Sequence, residues 1–378
     1  MIGADNIFGL LAALLAICAV AAGLERTALG RRISGAGIIL LTALVAAQFE
    51  ILPKTAPLYG AIWTYMVPLA IALFLLKADL VRVFSEGGRV LVAFLVGMAG
   101  TIVGAGLAAL VVDLGADEAK IAAVFTATYT GGSLNFVAVA EAVGFDDNSQ
   151  LSAALAIDSI FGVGFIVLLN VCAGWGLFKR WYGWRLDAVL GEGGIARTET
   201  APAPSLFGLL SALAISAAAV AASSMISGAL GFPEYELLVL TLLITAVATA
   251  GRRLLAGLHG EDIIAMMFMY LFFAIIGAGA DLNEMLRAAS GMFVMVGFIF
   301  AVHLAFMLVA GRLLKLNYAE LVTASLACIA GPPIAAAIAI LFKWRNLVAP
   351  GILTGILGYV LGNFAGVGIF ALLEGQVP

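Results

Sequence analysis

The run Thr126-Ala-Thr-Tyr-Thr-Gly-Gly-Ser-Leu-Asn-Phe136 interrupts a hydrophobic stretch with hydroxyls, an amide and two adjacent glycines. Unpaired backbone in hydrocarbon is costly, so such a break is tolerated only where it is buried or lines a watery space. The pattern predicts that one half-helix ends and another begins at Gly131-Gly132-Ser133. Glycine permits the turn and lets backbone come close to a ligand. Ser133 suits the cap of the second half-helix, whose free N–H groups and positive dipole end attract an anion. Asn135 adds an amide with both donor and acceptor. Later in the chain, Ser325-Leu-Ala-Cys-Ile-Ala-Gly-Pro-Pro333 repeats the device. There Gly331 permits the turn, and Pro332 and Pro333 are tolerated at a helix start because they have no N–H to leave unsatisfied. Adjacent glycines in a membrane segment also serve plain helix packing, but the polar cluster beside Gly131 favours a site. The candidate substrate-binding residues are Thr130, Gly131, Gly132, Ser133, Asn135, Gly331, Pro332 and Pro333.

Asp158, in Leu155-Ala-Ile-Asp-Ser-Ile160, is the second informative residue. It falls about ten residues into an apolar segment, hence ~15 Å deep at 1.5 Å per residue. An ionisable group at that depth is a functional-site hypothesis by default. As a carboxylate it could ligate Na⁺; protonated, it could carry H⁺. Thr128 and Asn363 are the other candidate coupling-ion residues, with helix packing an equal reading for Asn363. His303 falls in mid-segment, where a packed, hydrogen-bonded histidine is the commoner outcome and a proton relay the lesser one. Cys18, Cys172 and Cys328 have no metal-type spacing and read as small packing residues. Met266, Met267, Met269 and the Phe272–Phe273 pair read as lipid-facing or packing residues, and Pro68 as a kink. No cofactor, enzymatic nucleophile–base pair or nucleic-acid signature is expected; the partners are a small solute and the lipid bilayer.

These residues need elements to hold them. Of 378 residues, 63% are hydrophobic and 11% charged, against roughly 25% charged in a soluble domain. This predicts an all-α polytopic membrane protein. With about 20 apolar residues per span, continuous segments fall at 7–24, 34–49, 57–76, 89–112, 148–178, 205–230, 234–250, 262–280, 288–311 and 347–373. The broken segments are 118–143 and 319–342. The first segment lacks a basic n-region and reads as a retained span.

Landmarks recur in the same order. Ala119-Lys120-Ile121 matches Ala319-Glu320-Leu321, Ala127 matches Ala327, and Gly131 matches Gly331. Lys77-Ala-Asp-Leu80 matches Gly279-Ala-Asp-Leu282, and Phe161-Gly-Val-Gly164 matches Ala365-Gly-Val-Gly368. Interrupted segments in corresponding positions of two halves point to a transporter's binding site. The expected division is a first repeat over 1–178, a polar linker over 179–204 and a second repeat over 205–378.

Charge placement chooses between crossing helices and hairpins, because cytoplasmic loops carry the excess of Lys and Arg. If both broken segments cross the membrane, 9 of the 19 basic residues lie inside, which is no bias. If both fold back as re-entrant hairpins, only Lys54, Lys120 and Arg287 lie outside and the other 16 lie inside. Each half then has five spans and one hairpin. Five is odd, so the halves run inverted, with the amino terminus outside and the linker in the cytoplasm.

Thr130-Gly-Gly-Ser-Leu-Asn-Phe-Val-Ala-Val-Ala-Glu-Ala142, Ala156-Ile-Asp158, Gly331-Pro-Pro-Ile-Ala-Ala-Ala337 and Gly358-Tyr-Val-Leu-Gly-Asn363 resemble the YjcL-type family of bacterial membrane proteins over nearly the whole chain. That family is grouped with the cation:proton antiporter and anion transporter superfamily, which includes the 2-hydroxycarboxylate and sodium/glutamate symporters. The resemblance implies an inverted-repeat secondary transporter of the bacterial cytoplasmic membrane, a homodimer in which a core domain moves against a scaffold in elevator fashion. In YjcL-type sequences the membrane Asp is commonly followed by Asn; here Ser159 follows, which leaves the ion coordination open. No substrate comes with the family. The expectation is a transporter of a small organic anion or zwitterion (a carboxylate, amino acid or small peptide) coupled to Na⁺ or H⁺. A monovalent cation:proton antiporter is the alternative, and a non-transporting membrane sensor a further one.

Overall fold

A computed structural model describes residues 2–25, 27, 35–174, 176–183 and 203–374. Most of the predicted linker, including Arg185 and Arg197, lies outside the described residues, as do Arg26, Arg31 and Arg32. The described chain is helical, and nine of its helices are long and apolar enough to cross a membrane. The first half comprises α1 (Ile7–Glu25), α2 (Gly35–Gln48), α3 (Pro57–Leu75), the short α4 (Leu80–Glu86), α5 (Gly88–Ala109), the broken pair α6 (Glu118–Gly131) and α7 (Leu134–Ala142), and α8 (Asn148–Gly174). After α9 (Gly176–Trp181) the second half runs α10 (Leu206–Leu230), α11 (Glu236–Ala250), the short α12 (Arg252–Leu255), α13 (Glu261–Gly279), α14 (Leu282–Leu313), the broken pair α15 (Tyr318–Ile329) and α16 (Pro332–Leu341), and α17 (Val348–Glu374).

The predicted spans appear as helices, with ends shifted by a few residues. The segment at 34–49 is a 14-residue helix, Gly35–Gln48, and residue 34 lies outside the described residues. The segment at 288–311 is longer, because Asp281 caps its start: the carboxylate accepts from the N–H groups of Asn283 and Glu284. Asp79 caps α4 in the same way, accepting from Val81 and Arg82, so the paired Ala-Asp-Leu landmarks are paired helix starts. In α3 a π-turn over Ile62–Met66 sits just before Pro68. A proline cannot donate to the helical ladder, and the wider turn absorbs that interruption.

Each broken segment doubles back. Lys120, in the first turn of α6, donates to the carbonyl of Gly144, just past α7, at 3.1 Å. Tyr318, at the start of α15, packs its ring 5.6 Å from that of Trp344, just past α16. A straight continuation would carry those ends apart, since α6 alone is about 21 Å long.

The two hairpins also start from opposite ends of α5, itself about 33 Å long. At its first turn Arg89 pairs with Glu320 at 3.0 Å, at the base of the second hairpin. Beyond its last turn the chain passes through Gly115–Asp117 directly into α6, the base of the first. The tips meet in between: a methyl group placed on Gly132 would lie 3.6 Å from the Cα of Gly331. Gly132 (φ 96°, ψ 171°) and Gly331 (φ 83°, ψ 178°) adopt the same conformation, one essentially reserved for glycine. The pairing of Gly131 with Gly331 is therefore corrected by one residue, since the turn itself is made at Gly132.

One helix carries both hairpins. Along α17, Gly351 faces Thr323, Gly355 faces Pro332, Gly358 faces Thr130 and Gly131, Gly362 faces Ala127, and Gly366 faces Ala123. A Cβ at Gly355 or Gly366 would fall 2.8 Å from the opposing atoms, so the absent side chains are what allow backbone to meet backbone. Close approach through small residues is how membrane helices gain contact when lipid is as apolar as leucine. The hairpins themselves are enclosed: Phe125, Tyr129 and Phe136 are fully buried.

Candidate functional site

Beside the hairpin tips lies a cavity of about 1240 Å³. Gly132, Ser133, Leu134, Ala330, Pro332 and Pro333 line its inner end. Phe74, Tyr359, Met266, Met269 and Phe273 form apolar walls. Glu25, Lys77, Glu261 and Asp262 supply charge towards the end of the molecule where α5 begins.

Of the predicted substrate residues, the structure brings Gly132, Ser133, Pro332 and Pro333 to the cavity wall. It turns others away. Asn135 is buried, and its amide donates to the Gly358 carbonyl at 2.8 Å, closing the seam between α7 and α17. Thr130 donates to the carbonyls of Thr126 and Ala127, and Thr128 to that of Val124, so both hydroxyls serve their own helix. Gly131 packs against Gly358. Asn363 donates to Thr241 Oγ1 at 3.0 Å on α11, and its carbonyl oxygen is buried without a partner.

Ser133 is not the helix cap that its position suggested; its side chain makes no capping bond. Its hydroxyl instead donates to Asp158 Oδ2 at 2.8 Å. A carboxylate is the stronger acceptor, and it outcompetes the local backbone. Asp158 thus stands one residue behind the cavity wall, joined to it through Ser133. The Tyr129 hydroxyl faces the same carboxylate but completes no good hydrogen bond.

Several cavity residues escape sequence reasoning. Lys77 Nζ pairs with Glu261 Oε1 at 2.5 Å across 184 positions, and no pattern along the chain announces that contact. Glu25 accepts from the Tyr270 hydroxyl at 2.8 Å and from the Gly35 N–H at 2.7 Å. Tyr359 lies within the Gly358–Asn363 motif but carries no separate signal. Met266, Met267, Met269 and Phe273 line the cavity, and Phe272 is fully buried.

His303 is packed and fully hydrogen-bonded. Its Nε2 lies 2.7 Å from Ser325 Oγ on α15, and its Nδ1 lies 3.0 Å from both Thr101 Oγ1 and the Gly97 carbonyl on α5. Thr101 in turn donates to the Tyr129 carbonyl on α6. This chain of polar contacts ties the first hairpin to the second behind the tips. At the opposite end of the molecule from the charged cavity mouth, Lys54 pairs with Asp281 at 3.1 Å, and the Asp281 N–H donates to Ser149. The Lys54 bond, together with the N–H groups of Glu284 and Asn283, holds the Asp281 carboxyl below its usual range.

Among the described residues, no group of His, Cys, Asp or Glu is arranged to hold a metal. The model of the family described as "Protein of unknown function (DUF819)" matches residues 10–375. The chain is also similar to the "Uncharacterized membrane protein YjcL" of Bacillus subtilis (strain 168), with 31% identity over 387 residues covering 97% of this chain and 96% of that protein.

Proposed function

The chain belongs to the DUF819 family, and from that premise we propose that this integral membrane protein is a secondary active transporter of a small organic anion or zwitterion. The observation that carries the reading is the meeting of two hairpin tips from opposite ends of α5, beside a cavity large enough for a solute. Irregular backbone at membrane depth is tolerated where it lines a cavity, and two such breaks bracketing one space are the arrangement expected of a binding site in an inverted-repeat carrier. In this reading each half contributes five spans and one hairpin, and Asp158 carries the coupling ion. The hairpins ride with α17 as the moving core. In this reading the charged end of the cavity, with Glu25, Lys77, Glu261 and Asp262, is its cytoplasmic mouth.

Uptake into inside-out and right-side-out vesicles tests this. Asp158→Asn is expected to lower ion-driven uptake by at least about tenfold, as befits an intramembrane carboxylate. Gly132→Val is expected to do so as well, since a side chain at that φ costs on the order of 1–3 kcal/mol and faces Gly331. Undiminished uptake in both variants would remove the reading. Pure Na⁺ or K⁺ exchange with protons, with no organic solute required, would replace it by an antiporter.

A further inference from the structure

The link between Asp158 and Ser133 says more than that one residue carries an ion. Ser133 lines the cavity and has a single hydroxyl proton, which it donates to Asp158 Oδ2. While Asp158 is ionised, that proton is held by a full negative charge, and Ser133 can offer the cavity only lone pairs. Once Asp158 is protonated, the carboxyl becomes a neutral, weaker acceptor and a donor in its own right. The new Oδ2–H can donate a hydrogen bond to Ser133 Oγ while its proton stays on Asp158, and the Ser133 O–H is then free to turn into the cavity.

Resting on the transporter reading above, we propose that Ser133 converts a proton on Asp158 into a hydrogen-bond donor for an anionic head group, so that the solute is a carboxylate taken together with H⁺. The balance is simple: one proton arrives on Asp158, no covalent bond in the solute changes, and the pair crosses with the net charge of the site restored. Two effects act in the same direction. The donor appears where none was, and the repulsion between an entering anion and the half-buried carboxylate disappears. By linkage each favours the binding of the other. The walls formed by Phe74, Tyr359, Met266 and Phe273 suit an apolar body on that carboxylate.

Few ionisable groups surround Asp158 to compete for the role. From α6 comes Tyr129, buried, whose hydroxyl faces the Asp158 carboxylate without completing a good hydrogen bond. On α14, His303 meets Phe165, two turns further along α8, and is occupied by Ser325 and Thr101. Glu284, also on α14, accepts from Ser149 at the first turn of α8. On α13, Tyr270 is bonded to Glu25. On α15, Glu320 is paired with Arg89, and Cys328 donates to the Tyr129 carbonyl. Helix α2 carries no ionisable side chain.

Infrared difference spectra of the purified protein between alkaline and acidic buffer give a test that needs no solute. A protonated-carboxyl band is expected that vanishes in Asp158→Asn, shifts in Ser133→Ala, and stays in place in Ser159→Ala, whose hydroxyl bonds the Leu155 carbonyl instead. Absence of a band assignable to Asp158, or one indifferent to Ser133→Ala, would overturn the proposal. Phenylacetate serves as the probe anion. It is expected to protect wild type against thermal unfolding about tenfold more tightly in acid than in alkali, the scale of one charge-assisted hydrogen bond. Asp158→Asn should bind it equally at both pH values, and Ser133→Ala weakly at both. No protection at either pH would refute the anion assignment. Protection that depends on Na⁺ and ignores pH would refute proton coupling while leaving the transporter intact.

Discussion

The Lys77–Glu261 pair is the residue-level feature most open to measurement. Glu261 is 4% exposed and half of its carboxylate has no partner, whereas Lys77 reaches partly into the open. Removing the lysine strands a charge; removing both does not. Lys77→Met is therefore expected to destabilise by about 1–3 kcal/mol, and Lys77→Met with Glu261→Gln by less, measured as the shift of the unfolding midpoint in detergent. His303→Phe should cost a similar amount or more, because Ser325 and Thr101 both lose a buried partner; an unchanged midpoint would mean that this network contributes nothing. Single residues are also where the sequence was least legible. Polarity beside the Gly131–Gly132 break marked Thr128, Thr130, Ser133 and Asn135 alike. Only Ser133 looks into the cavity, because the direction of a side chain on a short half-helix depends on what packs behind it. For Asn135 and Thr130 that is α17, more than two hundred residues away.

At the scale of elements, the lesson is different. Breaks, spans and their order follow from apolar length and from the Gly and Pro punctuation, and the fold-back of both broken segments is what the distribution of Lys and Arg demands. The π-turn before Pro68 and the extra length of α14 were not legible, since both depend on how the backbone is satisfied locally. The glycine face of α17 carries a prediction. Gly362→Leu would push a side chain into Asn135 and the Ala127 carbonyl, costing on the order of 1–3 kcal/mol or more as overpacking, and would separate α17 from the first hairpin. Gly368→Leu, where no atom lies within 4 Å, should be silent in the same melting assay. Asp281→Ala should lower the unfolding midpoint modestly, as a lost helix cap. Because folding lowers the Asp281 pKa, its contribution is present above the ordinary carboxylate range and fades as pH falls through the lowered value. The wild-type advantage over Asp281→Ala should therefore shrink in acid and in high salt.

Taken whole, the described basic residues separate by end. Arg89, Arg252 and Arg312 make their contacts where α5 begins, while Lys54 and Lys120 make theirs where α5 finishes. In spheroplasts, Lys54→Cys should react with a membrane-impermeant maleimide and Lys343→Cys should react only after permeabilisation; the reverse pattern would turn the protein over without altering the fold.

The cavity's depth has an electrical consequence. A recess of about 1240 Å³ reaching the paired glycine tips, once filled with water, would short-circuit part of the insulating layer. Voltage then drops mainly across the remaining half, at about 2.3 kcal/mol per elementary charge for each 100 mV. On the transporter reading, a charged solute entering from the charged end of the cavity would feel little of that field on arrival and most of it on leaving. Membrane potential should therefore govern the speed of the carrying step and leave the tightness of initial capture almost untouched.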